Sequence, residues 1–161
     1  LLETVFLVYR LPAWSANFGQ RLVKAPKLYV MDTGLACHLL STEAKRLDHD
    51  RSLFGRLLET FVVGELRKQM SWVMPTGRVY HFRSSVGAEV DVVIERTDGD
   101  VAAVEVKAGA TVDASCFRGL TLLRDRLGTR FLSGVVLHTG ERTIPFGDRL
   151  WAVPIQALWA A

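Results

Sequence analysis

The tripeptide Glu105-Val106-Lys107 and the acid Asp91 are the residues of this chain best suited to chemistry. One run reads Glu89-Val-Asp-Val-Val-Ile-Glu95. After Arg-Thr-Asp-Gly-Asp, the next reads Val101-Ala-Ala-Val-Glu-Val-Lys107. Both alternate, so each predicts a strand with an apolar and a charged face. Two acids and a lysine on one face form a minimal kit for divalent-metal hydrolysis of a phosphodiester.

The turn between the strands decides whether those charges meet. A two-residue loop at Asp98-Gly99 sets Asp91 opposite Val106 and strands Glu105 on the apolar face, where an unpaired carboxylate is costly. A three-residue loop, Thr97-Asp98-Gly99, shifts the register by one, with Gly99 in the left-handed position of a bulged type I turn. Val90, Val92 and Ile94 then face Val106, Val104 and Ala102. Asp91 lies opposite Glu105, and Glu89 opposite Lys107. A one-residue slip inverts every side chain, so only this register keeps both faces chemically consistent. It predicts Asp91 and Glu105 roughly 5 Å apart at their β-carbons. At about 4 Å and an effective dielectric of about 20, two like charges repel by about 4 kcal/mol. A cation, Lys107 or a shared proton has to offset that.

These strands need a scaffold. The apolar content of 49% over 161 residues suits one domain with a real core. The net charge of +3 and pI near 9.1 permit nucleic-acid binding without requiring it. There is no run of eighteen apolar residues, so no membrane partner is expected. Cys37 and Cys116 form no C-x-x-C and read as small core residues in a reduced, cytoplasmic setting. The chain shows no signal-peptide pattern, and its start at Leu1 without Met reads as a fragment of a longer protein.

Along the chain, residues 1–25 read as the tail of a preceding unit, and the domain proper as 26–161. Pro26–Asp32 predicts a short strand and Thr33–Leu40 a helix, with a loop or frayed helix over 41–52. Leu53, Phe54, Leu57, Leu58, Phe61, Val62, Leu66 and Met70 repeat at helical spacing and predict a helix over 53–70. A turn at 75–77 leads to a strand at 79–83 and then the hairpin. A second helix spans 113–127, capped by Asp113 or Thr111 and stopped by Gly128. Strands follow at 131–138 and 150–153, with a terminal helix from Pro154. At about 100° per residue, Glu65 falls near the middle of the first helix's apolar stripe, and Glu59 nearer its edge. An ion pair with Arg56 or Arg83 would satisfy Glu65; the other reading is that one of the two acids points over the edge of the sheet toward Asp91.

The strings Gly55-Arg-Leu-Leu-Glu59, Gly87-Ala-Glu-Val-Asp91 and Glu105-Val-Lys107 resemble the PD-(D/E)xK nuclease superfamily. With Lys27-Leu-Tyr-Val-Met-Asp32-Thr-Gly-Leu35, Thr60-Phe-Val-Val-Gly-Glu65-Leu66 and Tyr80-His-Phe-Arg83, the chain resembles more closely DUF4143, a domain that follows an AAA+ ATPase module in many prokaryotic proteins. The resemblance covers roughly residues 20–110. It implies an α/β, restriction-endonuclease-like core: an α+β-like mixed sheet running helix, three strands, helix, strand, with helices on both faces. It implies that residues 1–25 end a winged-helix-like piece, and that DNA and an upstream ATPase in cis are partners, with a homo-oligomer possible. No G-x-x-x-x-G-K-[ST] occurs, so ATP would belong only to that upstream module. By resemblance, Asp91 and Glu105 hold Mg²⁺ or Mn²⁺, and Glu59, or else Glu65, is the helix acid that reaches the metal. Lys107 orients the attacking water or stabilises the pentavalent phosphate. The function implied is metal-dependent hydrolysis of DNA; the alternative is a non-catalytic DNA-binding or assembly module of the ATPase.

Other chemistries find little support. His38, His49, His81 and His138 have no metal spacing, no Ser-His-Asp or G-x-S-x-G pattern appears, and Trp14, Trp72, Trp151 and Trp159 are scattered as core or interface residues.

Overall fold

Alternating strands and two long amphipathic segments produce a mixed α/β fold. The computed structural model describes residues 1–160 except 18, 20, 22, 23, 74 and 75. Strands β1 (Val8–Leu11) and β2 (Lys27–Val30) pair antiparallel as a small ribbon. Helices α1 (Thr33–Leu39), α2 (Ala44–His49) and α3 (Arg51–Val73) follow. Then come β3 (Arg78–Arg83), β4 (Glu89–Glu95), β5 (Val101–Lys107), a 3₁₀ turn at Ala114–Phe117, and α4 (Arg118–Leu127). Strands β6 (Phe131–His138), β7 (Ile144–Pro145) and β8 (Leu150–Pro154) lead to a final 3₁₀ helix, Ile155–Trp159.

The main sheet has six strands in the order β3-β4-β5-β6-β8-β7. The β3-β4-β5 meander is antiparallel, β5-β6-β8 is parallel, and β7 runs antiparallel to β8. The crossover from β5 to β6 carries α4, as parallel neighbours require.

The two faces carry different helices. Val62, Val63 and Leu66 of α3 pack with Val92, Val104, Val106 and Leu137, and with Tyr9, Leu11 and Tyr29 of the ribbon. Leu120 and Leu123 of α4 pack with Val90, Val93, Val101, Ala103 and Val136 on the other face. Each fully buried aliphatic side chain here contributes about 1.5–3 kcal/mol. α4 docks closely because Gly119 presents no Cβ; one built there would lie 2.0 Å from the Glu89 carbonyl oxygen.

The hairpin takes the three-residue loop. Val92 pairs with Val104, Val93 with Ala103 and Ile94 with Ala102. Gly99 has φ +87° and donates its N–H to the Arg96 carbonyl, while the Arg96 N–H donates to Asp100. Only a residue without a Cβ adopts that φ cheaply.

Several expectations are corrected. The helix at 53–70 extends over Arg51–Val73, and α2 occupies part of the stretch read as loop. The helix at 113–127 divides into a 3₁₀ turn and α4, with the Asp113 carboxylate capping Ser115 N–H at 2.8 Å. Pro154 opens a 3₁₀ helix. Val90 leaves the face of Val92 and Ile94, because β4 bulges: Tyr80 faces Val93 while Phe82 faces Val90, so His81 spans both Asp91 and Val92. The turn at 75–77 includes Pro75, which lies outside the described residues. Val8–Leu11, Ala13 and Trp14 pack against the domain: Ala13 bridges His81 alongside β3, and the Trp14 N–H donates to the His81 carbonyl.

Candidate active site

The bulge in β4 builds the site. The described β4–β5 ladder ends at Val92 and Val104, where the next pair would be Asp91 and Glu105. The Asp91 side chain turns inward and its Oδ2 accepts the Val106 N–H at 3.0 Å. A carboxylate oxygen thus takes the place of a strand carbonyl.

Asp91 meets two residues from elsewhere in the fold. Lys27, at the start of β2, donates to Asp91 Oδ1 at 3.1 Å and to Glu59 Oε1 at 2.8 Å. Tyr29, two residues along the same strand face, donates its hydroxyl to Glu59 Oε1 at 2.6 Å. Glu59 comes from α3, which stacks the helix over the sheet at this point. Lys27 is therefore a shared cation between two acids.

Glu105 and Lys107 form a second pair. Val104 and Val106 join the α3 cluster, so the intervening Glu105 and the following Lys107 alternate away from it. Lys107 Nζ donates to Glu105 Oε1 at 2.7 Å. Glu105 Oε2 is buried without a hydrogen-bond partner. Glu89, expected across from Lys107, instead pairs with Arg83 of β3 at 3.0 Å, as the bulged register dictates. Glu65, the alternative helix acid, pairs with Lys68 one turn along α3 rather than with Arg56 or Arg83.

The electrostatics follow this arrangement. Burial raises the Asp91 carboxyl, and the nearby Glu59 charge raises it further against the pull of Lys27. Burial also acts to raise Glu59, but hydrogen bonds from Lys27 and Tyr29 outweigh it and hold Glu59 below its usual range. Glu59 thus carries the charge that Lys27 balances. Burial pushes Glu105 up to about 7, helped by the Asp91 charge and opposed by Lys107. Burial disfavours both ammonium groups, but the acids beside them prevail and keep Lys27 and Lys107 protonated above their usual range. Tyr29 is raised by burial and by its bond to Glu59, so it remains a donor.

Hard divalent cations take carboxylate oxygens, and Glu59, Asp91 and Glu105 supply only those. The orphaned, buried Glu105 Oε2 is the kind of oxygen a cation satisfies. In kind the residues fit Mg²⁺ or Mn²⁺. In position, no three or more His, Cys, Asp or Glu among the described residues gather as a metal-holding group. Lys27 already stands between Glu59 and Asp91.

Sequence reasoning had no role for Lys27 or Tyr29. The available signal was their i, i+2 spacing on a short strand, which sets an ammonium and a hydroxyl on one face. A cavity of about 860 Å³ opens beside Lys27, lined also by Lys24, His81, Arg83 and Arg126.

The model of one family, described as a domain of unknown function (DUF4143), matches residues 54–158. A second, also described as a domain of unknown function (DUF8612), matches residues 1–46. An uncharacterized protein of Mycobacterium tuberculosis and another of Mycobacterium bovis are each 28% identical over 153 residues, covering 95% of this chain and 33% of theirs. The chain spans about a third of the length of the curated relatives it matches. No solved structure matches it.

Proposed function

The chain belongs to the DUF4143 family, and on the site it carries we propose a nuclease-like role: divalent-metal-dependent hydrolysis of DNA phosphodiesters. The observation that carries this reading is the meeting of Glu59 from α3 and Asp91 from β4 around one cation, with Glu105 and Lys107 on the adjoining strand. Lys27 balances Glu59 and Asp91, and Lys107 balances Glu105 on the adjoining strand, so acids and ammonium groups alternate across the site. A bound Mg²⁺ or Mn²⁺, held by Asp91, Glu105 and Glu59, would supply Lewis-acid polarisation of the phosphoryl oxygen.

The chain's own groups do the rest. Lys107 stays an ammonium beside Glu105, which suits it to donate to an attacking water or to a phosphoryl oxygen gaining charge, and not to act as a base. Glu59 anchors the helix side of the site through Tyr29. Lys24, Lys27, Arg83 and Arg126 line one cavity with Glu89, and this excess of cationic side chains supports DNA as the substrate class.

A second reading, a non-catalytic DNA-binding or assembly module of an ATPase in cis, draws on the internal balancing of Glu59 and Asp91 by Lys27. Incubation of plasmid and branched DNA with Mn²⁺ separates the two. The nuclease reading expects wild-type cleavage that is lost in Asp91→Ala and Lys107→Ala. Equal residual cleavage in all three ends it and leaves the binding module.

A further inference from the structure

We propose that the β3 edge of the main sheet is a binding surface for the phosphate backbones of duplex DNA, which it holds through charge and not through bases. The inference deepens the DNA reading above and rests on it; it uses neither a metal nor cleavage.

The chain's charge is segregated. Arg10, Arg67 and Arg78 line a cavity of about 540 Å³, which no Asp or Glu lines among the described residues. Arg78 also lines a second cavity, of about 470 Å³, with Arg21, Arg96, Arg130 and Glu95. Ala16 is common to that one and to the cavity of about 860 Å³ lined by Lys24, Lys27, Arg83, Arg126 and Glu89. The three thus adjoin around β3, which lies at one edge of the six-stranded sheet. Together they gather ten of the chain's 20 Lys and Arg but two of its 17 Asp and Glu. The modest net charge of +3 is therefore one strongly cationic surface set against an acidic remainder.

Half of that charge is not spent inside the protein. Five of the ten cations pair with carboxylates. Lys24, Arg67, Arg78, Arg126 and Arg130 enter no ion pair among the described residues. Lys24 and Arg130 donate to the backbone carbonyls of Arg83 and Gly99, and Arg67 lies over the Tyr9 ring. Arg78, Arg126 and Arg130 are exposed. Such side chains gain affinity for a polyanion by releasing its counterions.

The span and the lining fit a duplex. Arg78 and Arg83 end β3, about 17 Å apart at about 3.4 Å per residue. B-form DNA presents about five phosphates per strand over that length. The aromatic side chains that line the cavities, Trp14, Tyr80, His81 and Phe82, are all buried, so no ring is offered to an unpaired base. A surface that reaches phosphates but not base faces favours a duplex over a single strand and binds it without sequence preference.

Fluorescence anisotropy tests this with a short labelled duplex, and with one of its strands, added to the chain in EDTA. Wild type is expected to bind the duplex at least about ten-fold more tightly than the strand, and to lose at least about 100-fold of that affinity between about 50 and about 200 mM salt. Equal or tighter binding of the single strand overturns the proposal. A triple variant carrying Arg78→Ala, Arg126→Ala and Arg130→Ala is compared with one carrying Lys45→Ala, Arg46→Ala and Arg118→Ala. The second set is also exposed, removes the same charge and lines none of the three cavities. The first triple is expected to lose at least about ten-fold in affinity, with a salt slope shallower by about two to three, and the second at most about three-fold. Equal losses by the two overturn the β3 surface and leave DNA standing as the partner. No duplex binding by wild type overturns the surface and the DNA reading together. Poly-glutamate that competes as well as unlabelled duplex overturns DNA as the occupant in favour of an acidic protein. The wild-type arms decide even where a variant fails to fold.

Discussion

The Asp91 carboxylate accepts the backbone N–H of Val106 across the point where β4 and β5 part, at 3.0 Å. This one bond ties the acid's position to the backbone of the strand that carries Glu105 and Lys107. It also closes the gap that the bulge leaves in the ladder. A buried N–H left without an acceptor is costly, so Asp91 has a structural duty beside any chemical one.

That dual duty separates two substitutions. Asp91→Asn keeps an oxygen for Val106 and removes a charge that burial already disfavours, so its stability is expected within about 1 kcal/mol of wild type. Asp91→Leu leaves the Val106 N–H unpaired and strips Lys27 of a partner, and is expected to lose about 2–4 kcal/mol. Urea unfolding of both variants measures the difference. Equal losses would show that Asp91 contributes charge alone.

Tyr29 offers a check on which acid is ionised. Its hydroxyl donates to Glu59 at 2.6 Å. A bond to a charged acceptor contributes about 1.5–3 kcal/mol, and one to a neutral acid about 1 kcal/mol. Tyr29→Phe is therefore expected to cost about 2 kcal/mol at pH 7 in wild type, and clearly less in a Glu59→Gln background. A cost of the same size in both backgrounds would contradict an ionised Glu59.

How much of this was legible in the residues depends on the range of the interaction. The hairpin register was readable because Gly99 and the alternation on both sides are local, and the Val92–Val104 pairing follows from them. The α3 helix was readable from its apolar spacing, although its ends were not. The bulge at Asp91–Val92 was not readable: it is an agreement between β3, β4 and β5, and no residue in the run announces it. Nor was the role of Lys27, whose acids lie 32 and 64 residues away. Strand β1 escaped notice because four residues, Val8–Leu11, carry too little periodicity to distinguish a strand from a tail. The fold class, by contrast, needed only the order of elements, which periodicity gives.

The N-terminal segment supplies a pH-sensitive clamp remote from the site. Arg21 grips Glu95 with two nitrogens, at 2.6 and 2.8 Å, and Trp14 Nε1 donates to the same carboxylate at 3.2 Å. Burial acts to raise Glu95, but the Arg21 bonds outweigh it and hold the carboxyl below its ordinary value of 4.5. The unfolded chain thus binds the proton first, and stability falls as pH drops below about 4.5 through the folded value. Glu95→Gln is expected to be less stable than wild type by about 1–2 kcal/mol at pH 7. The gap should close as wild type is acidified toward pH 3. Urea titrations at several pH values test it, and a gap independent of pH would deny the ion pair its part.

Two glycines, one on each main helix, should respond oppositely to alanine. On α4, a methyl at Gly119 would lie 2.0 Å from the Glu89 carbonyl oxygen and 2.7 Å from a Val90 methyl. The obstacle is backbone, which cannot rotate aside, so α4 would have to lift from the sheet. Overpacking of this kind costs about 3 kcal/mol. The displaced carbonyl lies two residues before Asp91, so the bulge should loosen as well. On α3, a methyl at Gly64 meets nothing within 4 Å. There the helix gains only by removing backbone freedom, worth up to about 1 kcal/mol. Thermal unfolding should place Gly119→Ala well below wild type and Gly64→Ala at or above it. A Gly119→Ala variant as stable as wild type would mean that α4 does not seat against Glu89 as described.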